Sequence, residues 1–254
     1  MEVVGLREKI EGFITDYIMS HNDNGLFRKP LIGYSRADDE RYEEIKKTVG
    51  PHLLHPRDIL PTCKTVVSFF IPFTKKVVES NIIEGRTKVS YLWAKTYYEC
   101  NNLINSLTEE LVDYLKEFNV NGTTVPATHG FDKEKFVAPW SHKSAAVIAG
   151  LGDLGLHSLL ITDKGCAGRI GTIFLDLEIE ANDKKEAGQS RCLYYRDASC
   201  TKCVDNCPSN ALSINGLNKK LCYKKLVHTD ELYSDLGKCD SCGKCSLGPC
   251  AYYE

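Results

Sequence analysis

The segment from Arg191 to Leu212 reads RCLYYRDASCTKCVDNCPSNAL, and the segment from Cys239 to Cys250 reads CDSCGKCSLGPC. With Cys222 between them, they place nine of the chain's twelve cysteines in its last quarter. The spacing runs Cys192-x7-Cys200-x2-Cys203-x3-Cys207-Pro208, then Cys222, then Cys239-x2-Cys242-x2-Cys245-x4-Cys250. An iron–sulfur cube needs four converging thiolates, and x2 spacings deliver two or three of them from one tight loop. Nine cysteines suffice for two [4Fe-4S] clusters with one to spare. Structural zinc also uses x2 pairs, but Cys-x3-Cys-Pro and the lack of histidine in the pattern favour iron–sulfur. A disulfide framework does not fit cysteines crowded at one end of a chain of this size.

Length sets the next bound. A chain of 254 residues holds one medium domain and a small one. The charged connector 181–189 is the expected boundary, giving an α/β cofactor domain over 1–187 and a ferredoxin-like domain over 188–254. A net charge of −2 offers no basic surface for nucleic acid. The longest apolar runs, such as Thr65–Phe73, are too short to span a bilayer. The start, MEVVGLREKIEGF, carries acids and no apolar signal core. With reduced cysteines in bulk, this points to a cytoplasmic protein.

Upstream, Leu6, Ile10, Phe13, Ile14, Tyr17 and Ile18, with Val3 before them, recur at helical spacing and predict a helix ending near Ser20. The stretch 21–50 reads as irregular, broken by Gly25, Pro30 and Gly33. Thr65 to Ile71 reads as a buried strand stopped by Pro72, with Cys63 as a core residue. Leu92, Trp93, Tyr97, Cys100, Ile104, Leu107, Leu111 and Leu115 trace one face of a long helix over about 90–118. Ser141 suits the N-cap of a helix rich in alanine. A strand is expected at 157–162, a glycine-rich loop at Gly165–Gly171, and an alternating strand at 172–180.

These pieces resemble a known family. Ala149-Gly-Leu-Gly-Asp-Leu-Gly155, Leu159-Leu-Ile-Thr162, Gly168, Leu175-Asp-Leu-Glu178 and Pro56-Arg-Asp-Ile-Leu-Pro61, followed by the cysteine pattern, resemble epoxyqueuosine reductase. Reductive dehalogenases share the plan. The resemblance covers roughly residues 50–254. It implies a nitroreductase-like α/β domain holding a base-off cobalamin, joined to a two-cluster ferredoxin domain, here in a short form without the family's helical repeat domain. It implies a corrinoid-dependent iron–sulfur oxidoreductase with an unidentified substrate, supplied with electrons by a ferredoxin or flavodoxin. The substrate it implies is a small molecule or a corrinoid protein. The alternatives are an electron carrier that reduces another protein's corrinoid, and a carrier whose α/β domain holds flavin or nothing. No Asp-x-His-x-x-Gly motif occurs, so no histidine of that kind is expected on cobalt.

The family's aspartate, three residues before the proline equivalent to Pro139, is Phe136 here. Candidate replacements as proton donor are His142, Tyr97, Tyr98 and Asp132. Candidate cofactor contacts are Gly150, Gly152 and Gly155 in one turn, and Gly165, Gly168, Arg169 and Gly171 in the next. The first cysteine of the family's Cys-x2-Cys-x2-Cys-x3-Cys-Pro is Asp197. The cysteine before the proline ligates the other cluster in such domains. That rule sends Cys207 to one cube with Cys222, Cys239 and Cys242, and Cys250 to the other with Cys200 and Cys203. Cys192 is preferred over Asp197 as its fourth ligand, because carboxylate is a harder donor than thiolate. Cys245 is left as the spare, with an exchange between Cys245 and Cys250 open.

Overall fold

A computed structural model describes residues 5–127, 130–182 and 189–254. The chain opens with α1 (Leu6–Ser20), β1 (Leu31–Arg36), α2 (Arg41–Val49), α3 (Pro56–Ile59), β2 (Thr65–Pro72), α4 (Lys75–Ile83) and α5 (Tyr91–Leu115). It continues through β3 (Gly122–Thr124), α6 (His142–Ile148), β4 (Gly152–Leu154), β5 (Leu160–Thr162) and β6 (Gly168–Leu175). The tail holds α7 (Leu193–Asp197), α8 (Lys202–Asp205), β7 (Leu212–Ser213), β8 (Gly216–Leu217) and α9 (Lys219–Leu232). No helix among the described residues is long and apolar enough to cross a membrane.

A four-stranded antiparallel sheet, ordered β1-β2-β6-β3, carries the body. β2 is buried along its whole length, as a central strand covered on both faces must be. Its side chains alternate. Val67, Phe69 and Ile71 join the core made by α1 and α5, whereas Val66 packs with Trp140, Ala145 and Phe174, and Phe70 with Ala146. The result is a mixed α/β unit with helices on both faces of the sheet. α5 is held at its start by the Ser90 hydroxyl, which accepts from the Trp93 N–H at 3.0 Å. The Ser141 hydroxyl accepts from Ser144 N at the start of α6.

Several expectations shift. The region 21–50 contains an edge strand and a helix. β1 forms because Leu31–Arg36 pairs with β2, and Gly33 lets it approach α6, where a Cβ would meet the Ala149 carbonyl at 2.5 Å. The glycine loop is largely strand: Gly168 to Leu175 pairs with Pro72 to Thr65. Gly168 and Gly171 admit the rings of Phe70 and Phe69. The expected strand at 157–162 shortens to Leu160–Thr162. The expected boundary at 187/188 lies outside the described residues, as do Val3 and Thr128.

The tail lies along the body by named contacts. Cys166 N donates to Cys250 O at 2.9 Å and Ala167 N to Ala251 O at 3.1 Å. Asn81 donates to the Cys242 carbonyl at 3.0 Å. The Tyr233 hydroxyl donates to Val89 O at 2.7 Å.

Candidate metal centres and the adjoining cavity

All twelve cysteines carry free thiols. In the tail they fall into two groups. Cys207, Cys222, Cys242 and Cys245 form the first, and each lines a cavity of about 410 Å³ between tail and body. They come from three segments: the end of the α8 turn, α9, and the loop after α9. Burial pushes the Cys222 thiol up to about 11, with Cys242 and Cys207 adding to it. Burial also raises Cys245, whose neighbours are Cys242, Cys222, Cys203 and Cys207. Four free thiols lining one cavity are a poor apolar core and a good soft-metal donor set.

Cys207 behaves differently. Burial pulls its thiol up, but N–H groups of Leu212, Ala211 and Ser209 and the Ser209 hydroxyl outweigh it and hold the pKa below the ordinary value. Backbone N–H groups aimed at one sulfur favour its thiolate.

The second group surrounds Cys203. Burial raises that thiol to about 11, and Cys250, Cys192 and Cys200 raise it further. Cys192 N-caps α7, and its sulfur accepts from Leu156 N at 3.4 Å. Asp197 is exposed and turned outward, accepting from Ser199 N at 3.0 Å and Arg196 Nε at 3.1 Å.

One member of the expected set lies away from the cavity. Cys239 stands apart: its thiol donates to the Tyr233 and Thr229 carbonyls at 3.6 and 3.9 Å. Burial raises it to about 11, and its charged neighbours are Asp230, Asp240 and Asp235 rather than thiols. Cys245, the expected spare, lines the cavity with Cys242. The cause is the turn between them. Gly243 has φ +69, and a Cβ there would lie 2.0 Å from the Trp93 ring. The loop therefore sits flush on Trp93, and the short 3-10 turn Lys244–Ser246 brings Cys245 round to the cavity.

The rest of the cavity wall is apolar at one end, with Phe70, Phe73, Trp93 and Leu160. Tyr97 lines it, donating to Asp240 Oδ1 at 3.0 Å beneath the Arg169 guanidinium, which stands 4.5 Å from the ring centroid. Arg169 is fixed by Asn101 at 2.8 Å. His142 also lines it, its Nδ1 2.8 Å from Thr172 Oγ1. Lys143 donates to Ser158 O at 2.7 Å, and burial lowers its pKa. Ser241 also lines the cavity, but its hydroxyl is buried and has no hydrogen-bond partner.

Other candidates lie elsewhere. Asp132 accepts from Glu134 N and Lys135 N, both at 2.9 Å, and closes a turn. Tyr98 packs its ring against Gly237. Neither lines the cavity. Of the seven expected cofactor contacts only Gly168 and Arg169 line it, and Gly150, Gly152, Gly155, Gly165 and Gly171 do not. Gly152, for instance, is pressed on the Ile161 carbonyl, 2.1 Å from where a Cβ would stand. Phe136, at φ +55, packs with Phe131 and Tyr223.

No protein-family model matches the sequence. The chain is 26% identical over 218 residues to epoxyqueuosine reductase of Lactococcus garvieae strain Lg2, covering 78% of this chain and 57% of that protein. A solved epoxyqueuosine reductase of Streptococcus thermophilus superposes with a TM-score of 0.58 at 15% identity, over 96% of this chain and 65% of that one. The chain is homologous to epoxyqueuosine reductase. A more distant homology links it to reductive dehalogenases. The tetrachloroethene enzyme of Dehalobacter restrictus is 33% identical over 112 residues, 42% of this chain and 20% of that protein. A solved catabolic reductive dehalogenase matches with a TM-score of 0.50 at 17% identity, over 72% of this chain and 23% of that one. The chain thus spans little more than half of the epoxyqueuosine reductase it matches in sequence. With epoxyqueuosine reductase it shares descent and a mixed α/β fold.

Proposed function

We propose that this chain is an iron–sulfur oxidoreductase with two [4Fe-4S] clusters, which delivers electrons to a base-off corrinoid in the cavity for reduction of a small substrate. In this reading a nitroreductase-like domain is followed by a ferredoxin-like one, as in the relatives. Cys207, Cys222, Cys242 and Cys245 hold the cavity-facing cluster. Cys192, Cys200, Cys203 and Cys250 hold the other, which accepts electrons from a ferredoxin or flavodoxin. The observation that carries the reading is that four free thiols from three segments line this cavity.

The apolar end at Phe70 and Trp93, rimmed by Arg169 and Lys143, suits a broad ligand with polar edges. When bound, the corrinoid supplies the low-potential redox chemistry. The protein's part is to exclude water, to place the ligand beside the cluster and to hold a proton. Among the titratable cavity groups, which also include His157 and Asp240, His142 and Tyr97 are the candidates to hold one. Thr172 fixes the His142 ring through Nδ1, and Asp240 orients the Tyr97 hydroxyl.

Anaerobic reconstitution should give about eight irons per chain. Titration with cobalamin should then shift the corrin spectrum and co-elute the corrinoid on gel filtration. Unchanged corrin bands without co-elution would sink the corrinoid part. That outcome favours the electron carrier, for which the apolar Phe136 at the position of the family's acid speaks.

A further inference from the structure

The turn 150–155 and the start of the loop at Gly165 are left without a ligand by this cavity, yet both are built with care. Gly155 leaves room for the His157 ring: a Cβ there would lie 2.8 Å from Cε1. Gly165, at φ +95, runs against the chain end, where a Cβ would lie 2.4 Å from the Ala251 carbonyl. The next two backbone N–H groups bond Cys250 O and Ala251 O, so the register is fixed. Together these contacts bring two side chains onto one sulfur. His157 Nε2 stands 3.5 Å from Cys250 Sγ, and Cys166 Sγ stands 3.7 Å from it. Their three donor atoms lie within 4.8 Å of one another. Both partners are buried, His157 4% and Cys166 5% exposed.

The direction of the histidine bond follows from its other nitrogen. Leu159 N donates to His157 Nδ1 at 3.0 Å. Nδ1 therefore presents its lone pair, and the ring proton sits on Nε2, facing the Cys250 sulfur. Cys166 has two acceptors in reach, Cys250 Sγ and the Ser246 carbonyl at 3.8 Å.

We propose that His157 and Cys166 are hydrogen-bond donors to the Cys250 sulfur that raise the reduction potential of the cluster Cys250 closes. This rests on the reading of Cys192, Cys200, Cys203 and Cys250 as a [4Fe-4S] ligand set. Cluster potentials respond to hydrogen bonds at the sulfurs. A reduced cube carries one more negative charge, so N–H and S–H dipoles aimed at its sulfur stabilise the reduced form more than the oxidised one. That cluster thereby becomes the easier to load from an external one-electron donor of the ferredoxin or flavodoxin class. The donor loses one electron and the cluster gains it, with no bond made or broken. His157 and Cys166 are positioning residues here, bound to a ligand sulfur rather than to iron.

The test uses the full chain, reconstituted anaerobically, with iron and zinc counted and each cluster titrated by EPR. Wild-type protein should hold about eight irons and no zinc, and show two potentials. His157→Leu and Cys166→Ala should keep the iron count and lower one potential only. The expected shift is up to about tenfold in the reduction equilibrium, or about 59 mV for one electron. His157→Gln, which keeps an N–H near the same place, should restore much of it. The unmoved second potential reports that each variant is folded. Unshifted potentials in both His157→Leu and Cys166→Ala would overturn the proposal. Iron loss in Cys166→Ala would overturn it too, because Cys166 would then be a ligand, as would zinc bound by the three residues. A wild-type chain with no second cluster defeats the underlying reading as well, and it is recognised before any variant is made.

Discussion

The body and the cysteine-rich tail are held together by different means. Helix α5 buries ten side chains, among them Trp93, Ile104, Leu107 and Leu111. Helix α9, with 14 residues, buries only Thr229, and its Leu221 and Leu232 are exposed. Where the body packs aliphatic and aromatic side chains, the interior of the tail packs Cys192, Cys203 and Cys207 with Ala211 and Leu212, and borrows Leu156, Ile161 and Cys166 from the body. An amphipathic helix is stabilised mainly by burying its apolar face, and α9 has little to bury. One of its half-buried side chains, Cys222, lines the cavity, and in the proposed reading it is a donor for metal. The difference teaches that the tail packs thiols where the body packs aliphatic and aromatic side chains, as the proposed cluster sites require. Small units of this kind depend on a staple.

The most severe test of that contrast is removal of iron. Chelation should unfold the segment after residue 189, seen as proteolysis within α9, while the helix and strand signals of the body persist. A chelated tail that stays protease-resistant would break the comparison. Next comes the body's own core. Phe69→Ala, on the covered strand β2, should cost about 3–5 kcal/mol and lower the melting temperature, with iron content per folded chain unchanged. An equal loss of iron would mean that the two regions are not separable in this way.

The smallest effect sharpens the comparison through pH. Burial pushes the Cys100 thiol, deep in the body core, up from 9.0 to about 12. A folded pKa above the unfolded one means that stability is complete below about pH 9 and falls as pH rises toward 12. The slope from this one group is at most about 1.4 kcal/mol per pH unit. Denaturant titrations of apo protein at pH 8 and pH 10 should show a lower midpoint at pH 10, and a smaller difference in Cys100→Ala. Equal differences would remove Cys100 from the account.

Much of this was legible in the sequence. The run at Thr65 gave β2, and the stripe from Trp93 to Leu115 gave α5, because long runs with one period have one good burial solution. The strand β1 was not legible: its six residues include Gly33, and their burial comes from pairing with β2 and from α6. Helix α2 was missed because only Tyr42 of its nine residues is buried. The gathering of free thiols in the tail could be read from the x2 spacings. The choice between Cys239 and Cys245 could not, since Cys239-x2-Cys242-x2-Cys245 is symmetric about Cys242. Packing of Gly243 on Trp93, 150 positions earlier in the chain (243 − 93), breaks that symmetry. The contact of His157 and Cys166 with Cys250 spans 93 and 84 positions, and no local pattern encodes it.

The claim on which the account turns is that the cavity wall formed by Cys207, Cys222, Cys242 and Cys245 is a cluster site. Counting iron and acid-labile sulfide in Cys245→Ser and Cys239→Ser, reconstituted identically beside the wild-type chain, tests it most directly. The account predicts about eight irons in the wild type and in Cys239→Ser, and a clear deficit with loss of one cube signal in Cys245→Ser. A deficit in Cys239→Ser with a full complement in Cys245→Ser would contradict it.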